Sequence, residues 1–164
     1  MIKKCLFPGS FDPFTLGHMR LVERALNLFD EVTVLILINA NKRYTFSLED
    51  RISFIEESVR KYPNVKVVAY SGLLCDYMQE SGVYTVLRGV RNTVDFDYEA
   101  SYFYVNKELA PNAEMVFLPT ERELCHISSS VVRELLFYRA DVKKYLTEES
   151  CASIVKRYYE SNDG

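Results

Sequence analysis

The sequence predicts an α/β fold: one doubly wound domain with about five parallel strands and helices on both faces. Two observations predict it. Short apolar runs rich in Val, Ile, Tyr and Phe alternate with amphipathic helical patterns. Each apolar run then leads into a polar or basic loop. Strands that are apolar throughout are those buried on both faces. Intervening helices impose parallel pairing through right-handed crossovers. A length of 164 residues at 48% hydrophobic content suits one core, not two. Residues 1–164 are therefore read as one domain, with a frayed tail over 160–164.

Taken in order, Ile2–Phe7 is the first strand. It opens into Pro8-Gly9-Ser10-Phe11-Asp12-Pro13-Phe14-Thr15-Leu16-Gly17-His18. Met19–Phe29 follows as a helix, with Leu21, Ala25, Leu28 and Phe29 on one face. The second strand, Val32–Ile38, leads into Asn39-Ala40-Asn41-Lys42. Ser47-Leu48-Glu49-Asp50 resembles a capping box with Asp in place of Glu, and it starts a helix over Leu48–Lys61. The third strand is Val65–Tyr70. A short helix over Leu73–Ser81 stops at Gly82, a natural C-terminal cap. The fourth strand, Val83–Leu87, leads into Arg88-Gly89-Val90-Arg91, and a helix over Phe96–Leu109 ends before Pro111. Met115–Leu118 is the fifth strand, followed by a loop from Thr120 to Ser130 and helices over Ser129–Phe137 and Glu148–Tyr159.

Several function classes are disfavoured. The net charge is −3 and no basic run occurs, so nucleic acid is not an expected partner. The longest apolar run, Val32–Ile38, is too short to cross a bilayer. The apolar stretch at the start is too short for a signal peptide, which predicts a cytoplasmic protein. Cys5, Cys75, Cys125 and Cys151 are scattered without a C-x-x-C pair, which predicts reduced thiols and no zinc cluster.

In a parallel sheet all carboxyl ends share one rim, where ligands of such folds sit. His18, Lys42, Arg88 and Arg91 should therefore converge. Each has a bland reading alone. Lys42 suits solvent, His18 a helix cap, and Ser128-Ser129-Ser130 an N-cap. Together they predict a cleft for a polyanionic small molecule. A helix N-terminus behind a glycine-containing turn binds anions through unpaired N–H groups.

The segment Pro8 to His18 resembles the T/H-x-G-H signature of the nucleotidyltransferase superfamily. Ile127-Ser128-Ser129-Ser130 resembles its second signature. Arg88-Gly89-Val90-Arg91, Asp95-Phe96-Asp97-Tyr98-Glu99, Asn39-Ala40-Asn41-Lys42 and Thr45-Phe46-Ser47-Leu48-Glu49-Asp50-Arg51 are similar to bacterial phosphopantetheine adenylyltransferase. That resemblance runs from about residue 1 to residue 158 and implies a Rossmann-like domain.

The resemblance also implies a reaction: adenylyl transfer from ATP to 4′-phosphopantetheine, giving 3′-dephospho-coenzyme A and pyrophosphate. It implies His18 as transition-state stabiliser on the α-phosphate, with Lys42 and Arg91 as further catalytic residues. Around ATP it places Ser10, Phe11, His18, Gly89, Val90, Arg91 and Glu99. It adds the loop Leu124, Cys125, His126, Ile127, Ser128, Ser129 and Ser130. Around the acceptor it places Ser10, Lys42, Leu74 and Arg88. It implies magnesium held by phosphates and water, with no protein ligands. It implies a homohexamer and coenzyme A as an inhibitor. The alternatives are another phosphorylated acceptor, such as nicotinamide mononucleotide, or a non-catalytic nucleotide-binding module. Two departures stand out. Ser10 replaces the usual Thr and keeps the hydroxyl. Leu124-Cys125-His126 replaces an aromatic-Ser-Phe run.

Overall fold

The computed structural model describes residues 2–162. The chain builds β1 (Lys4–Gly9), α1 (Leu16–Ala25), β2 (Glu31–Leu37), α2 (Leu48–Val59), β3 (Val65–Tyr70) and α3 (Leu74–Ser81). It continues through β4 (Thr85–Val90), α4 (Thr93–Leu109), β5 (Glu114–Pro119), a single 3₁₀ turn (Arg122–Leu124), α5 (Ser129–Phe137) and α6 (Glu148–Asn162). The strands form one parallel sheet in the order β3-β2-β1-β4-β5. This is the single α/β domain with five parallel strands that the alternating pattern predicts. The order reverses between β1 and β4, so the rim above those two strands is the switch point where such sheets bind ligands. Of the expected tail, residues up to Asn162 belong to α6, and Asp163 and Gly164 lie outside the described residues.

Alternation along the strands divides the core. Cys5, Phe7, Val32, Val34, Ile36 and Leu87 face α1 and α2 and pack on Val22, Ala25, Ile55 and Val59. Leu6, Leu35 and Val86 point the other way, onto Cys75 and Met78 of α3 and onto Ala110 and Ala113. Outside the sheet, Phe54 of α2 joins Val132 and Leu136 of α5 and Ile154 and Tyr158 of α6 in a third cluster. Ser58, Thr147 and Ser150 form a buried hydroxyl network at 2.7–3.1 Å that ties α2 to the start of α6.

Three of the boundaries that differ from the sequence reading shape the rim. α1 begins at Leu16, one turn before the expected Met19, because Thr15 caps it. β4 runs through Arg88 and Gly89 to Val90, because these pair with Phe117, Leu118 and Pro119 of β5. They are strand residues and not loop residues. α4 begins at Thr93, because Asn92 accepts the Asp95 N–H at 2.9 Å. Asp95 and Glu99 therefore ride the first two turns of a helix that faces the rim.

Candidate active site

The β1–α1 turn is built around Phe11. This residue is buried and sits at φ 48°, a left-handed conformation costing about 1–2 kcal/mol. Its ring packs on Phe7, Phe14 and His18 at centroid distances of 5.3, 5.6 and 5.1 Å. The ring lies directly under Gly9, where a Cβ would stand 2.8 Å from Cζ of Phe11. Gly9→Ala should therefore cost about 1–3 kcal/mol through overpacking. Denaturant unfolding checks this, and an unchanged midpoint would contradict it.

His18 closes a capping box at the start of α1. Thr15 Oγ1 accepts the His18 N–H, and His18 Nδ1 accepts the Thr15 N–H at 3.0 Å. A backbone N–H only donates, so Nδ1 carries no proton and Nε2 does. Burial, with Arg88 and Arg91 nearby, pulls the ring from 6.5 down to about 4. His18 is thus a neutral donor. The sign of the pH effect follows. Between pH 6.5 and about 4 the unfolded ring holds a proton that the folded ring does not, so stability falls as pH drops through that window. Thermal unfolding of the ligand-free protein should show this slope, and His18→Asn should flatten it. Parallel slopes would refute the assignment.

Among the cations, Lys42 Nζ donates to Ser10 Oγ at 3.3 Å and has no carboxylate partner among the described residues. The arginines are committed. Arg88 donates from Nε to Glu99 at 2.6 Å, from Nη2 to the other Glu99 oxygen, and from Nη1 to the Pro8 carbonyl at 2.6 Å. Arg91 pairs with Asp95 at 2.8 Å. The sequence reading gathered His18, Lys42, Arg88 and Arg91 on one rim as cations. The two arginines meet carboxylates from α4, and His18 is neutral.

The serine triplet divides its work. Ser128 caps α5 by accepting the Val131 N–H at 3.2 Å. Ser129 donates to the Pro13 carbonyl at 2.8 Å, locking α5 onto the β1–α1 turn. Ser130 accepts from Arg133, whose Nη1 also donates to the Asp12 carbonyl at 2.6 Å. The first N–H groups of α5 are left for an anion. A further asymmetry points the same way. α2, α3, α4 and α6 all carry an acid in the first turn, whereas α1 and α5 carry none. The N-termini of both α1 and α5 open on the cleft.

The cleft has two compartments. One of about 550 Å³ is lined by Ser10, Phe11, His18, Lys42, Arg88, Gly89, Arg91 and Glu99. Leu124, Ile127, Ser128, Ser129, Ser130 and Arg133 complete that side. The second, about 850 Å³, extends between α3 and α4 past Leu73, Leu74, Tyr102, Leu109 and Met115. Ser10, Lys42, Arg88 and Glu99 stand at the junction. Val90, Cys125 and His126 do not line either one. His126 packs edge-on against Tyr145 at 5.8 Å, and Cys125 Sγ faces the carbonyls of Thr120 and Glu121. Asp12, Thr15 and Arg133 are site residues that sequence reasoning passed over. For Arg133 a signal was present: a cation in the early turns of a helix opposes the dipole, unless an anion sits there.

Comparison with known proteins bears on the family and the fold. The family model described as cytidylyltransferase-like matches residues 6–135. Two solved structures share the fold, both of a bifunctional NMN adenylyltransferase/ADP ribose pyrophosphatase from Francisella tularensis. One is 15% identical with a TM-score of 0.75. The other, complexed with AMP and Mn ion, is 17% identical with a TM-score of 0.68. Each covers 98% of this chain and 50% of that one, so this chain spans half the length of those proteins.

Proposed function

The chain belongs to the cytidylyltransferase-like family, and from that premise we propose that it transfers the adenylyl group of ATP to 4′-phosphopantetheine. The observation that carries this reading is the two-part cleft. Its phosphate-binding half abuts a long, largely apolar compartment, and Lys42, Ser10 and Arg88 stand where they meet. A phosphorylated acceptor with a flexible, weakly polar arm suits that shape. Nicotinamide mononucleotide is the second reading, favoured by the name of the two solved neighbours. It has no arm to fill the aliphatic end at Leu74, Leu109 and Met115.

The chemistry needs little from the protein beyond positioning. The acceptor phosphate is already ionised, so no general base is required. One of its oxygens bonds to the α-phosphorus of ATP while the bond to the bridging oxygen breaks in line, and pyrophosphate leaves. His18 Nε2–H donates to the α-phosphate oxygen as charge grows there. Lys42 and Arg91 hold the acceptor phosphate and ATP against their mutual repulsion. The α5 N-terminus and Arg133 receive the β- and γ-phosphates. The cleft carboxylates are engaged: Asp12 accepts the N–H groups of Thr45 and Phe46, Asp95 holds Arg91, and Glu99 holds Arg88. Magnesium would therefore ride on the triphosphate and water, where it offsets phosphate charge. ATP labelled at the α-phosphate tests the reaction. The label should appear in an acceptor–AMP product with one pyrophosphate per product, and label trapped on the protein would refute direct transfer.

The reading includes the cytoplasm, competition by coenzyme A through the shared arm, and assembly into a homohexamer. α4 supports assembly. None of its residues is fully buried, and Tyr104, which lines neither compartment, is more than half exposed. Light scattering should give about six times the 19.1 kDa chain mass, and Tyr104→Glu should lower it. A monomeric wild type would contradict assembly.

A further inference from the structure

Arg51 is one of the largest fully buried side chains of the protein, 2% exposed, on the apolar face of α2 beside Phe54, Ile55 and Val59. A guanidinium stays charged, and burying it without a carboxylate is costly. Among the described residues, none of its contacts is a carboxylate. Nη1 donates to the Ser10 carbonyl at 2.8 Å, Nε donates to the Ser47 carbonyl at 3.4 Å, and the plane lies over the Tyr44 ring at 4.0 Å. The nearby acids are engaged elsewhere: Asp12 accepts the Thr45 and Phe46 N–H groups, and Asp50 pairs with Arg157 at 3.1 Å. On the cleft side of these contacts stand Ser10 Oγ and Lys42 Nζ, 3.3 Å apart, with Lys42 also 5.6 Å from the Tyr44 ring.

We propose that Arg51 is a positioning residue for the acceptor phosphate. It fixes Ser10 and Tyr44 so that the Ser10 hydroxyl and Lys42 face a single anion. The arriving phosphate supplies the counter-charge that no carboxylate gives the buried guanidinium. This rests on reading the Ser10–Lys42 corner as the acceptor's phosphate site, and it extends that reading to a residue outside the cleft. The two functions of the side chain are separable. A lysine keeps the charge and loses the two-point hold, whereas a glutamine loses both.

The test is calorimetric titration with inorganic phosphate while a non-transferable ATP analogue saturates the nucleotide side. Arg51→Gln should weaken phosphate binding about tenfold, the effect of one nearby unit charge in a partly solvated site. Arg51→Lys should weaken it less, and affinity for the analogue should hold within about twofold. In a Lys42→Ala background the effect of Arg51→Gln should shrink to about threefold, because one of the two groups that face the anion is gone while Ser10 and the guanidinium charge remain. Tyr44→Leu, which removes the stacked ring near the surface, should mimic the selective loss even where Arg51→Gln fails to fold. Equal weakening of phosphate and analogue, an unchanged effect in the Lys42→Ala background, or no phosphate binding by the wild type would overturn the proposal. Absence of turnover with 4′-phosphopantetheine alongside the expected titrations would instead remove the acceptor assignment and leave Arg51 in its role.

Discussion

Replacing His18 with alanine should lower kcat by about 10²–10³ while the KM for ATP stays within about threefold, as expected for loss of one preorganised donor. The ring is set up for that single task. Its Nδ1 is occupied by the Thr15 N–H, three phenyl rings surround it, and it is held uncharged, so only Nε2–H is left to follow charge onto the α-phosphate. Alanine also removes half of the capping box at α1, a loss of about 1 kcal/mol in stability. Thr15→Ala separates the two effects. It breaks the cap but leaves the ring, so it should cost stability with a much smaller drop in kcat. Steady-state kinetics on both variants check this. A His18→Ala enzyme within tenfold of wild type would remove His18 from the chemistry.

The second large effect is at Arg88. Arg88→Ala should raise the acceptor KM by about 10²-fold or more and the ATP KM by far less. Part of that loss is a wound and not a missing contact. Glu99 is mostly buried against the guanidinium, and without it a carboxylate faces an incoming phosphate unpaired. The double variant Arg88→Ala/Glu99→Gln should therefore bind the acceptor better than Arg88→Ala alone. Glu99→Gln by itself should leave acceptor binding equal or tighter, because the fork of Arg88 is then freed for phosphate. A double variant no better than Arg88→Ala would show that the pair is not coupled to the acceptor.

The sheet was legible because both faces of the central strands β1, β2 and β4 are covered, so these stand out as apolar runs. The rim was less legible, for physical reasons that differ by residue. The cap on α1 uses histidine where the usual box has Glu or Gln, so the helix start was placed one turn late. Arg88 is polar in a strand and reads as loop, yet its backbone pairs with Phe117 while its side chain crosses to α4. The Arg91–Asp95 pair lies at helical i,i+4 spacing and could have been read. The Arg88–Glu99 pair joins a strand to a helix and has no sequence period. Arg51 was visible in one way: it falls in register with Phe54, Ile55, Ser58 and Val59 on the buried stripe of α2, where a charge is out of place. The resemblance places Cys125 and His126 around ATP, but Cys125 Sγ faces the Thr120 and Glu121 carbonyls and His126 packs on Tyr145, away from both compartments.

The central claim is the pairing of ATP with a phosphorylated acceptor that carries a long arm. Pyrophosphate release from ATP and magnesium, with 4′-phosphopantetheine and nicotinamide mononucleotide supplied in competition, tests it most directly. Release should follow 4′-phosphopantetheine, and the competing mononucleotide should be left unadenylylated. Turnover of nicotinamide mononucleotide in preference, or nucleotide binding with no pyrophosphate from either acceptor, would contradict the account.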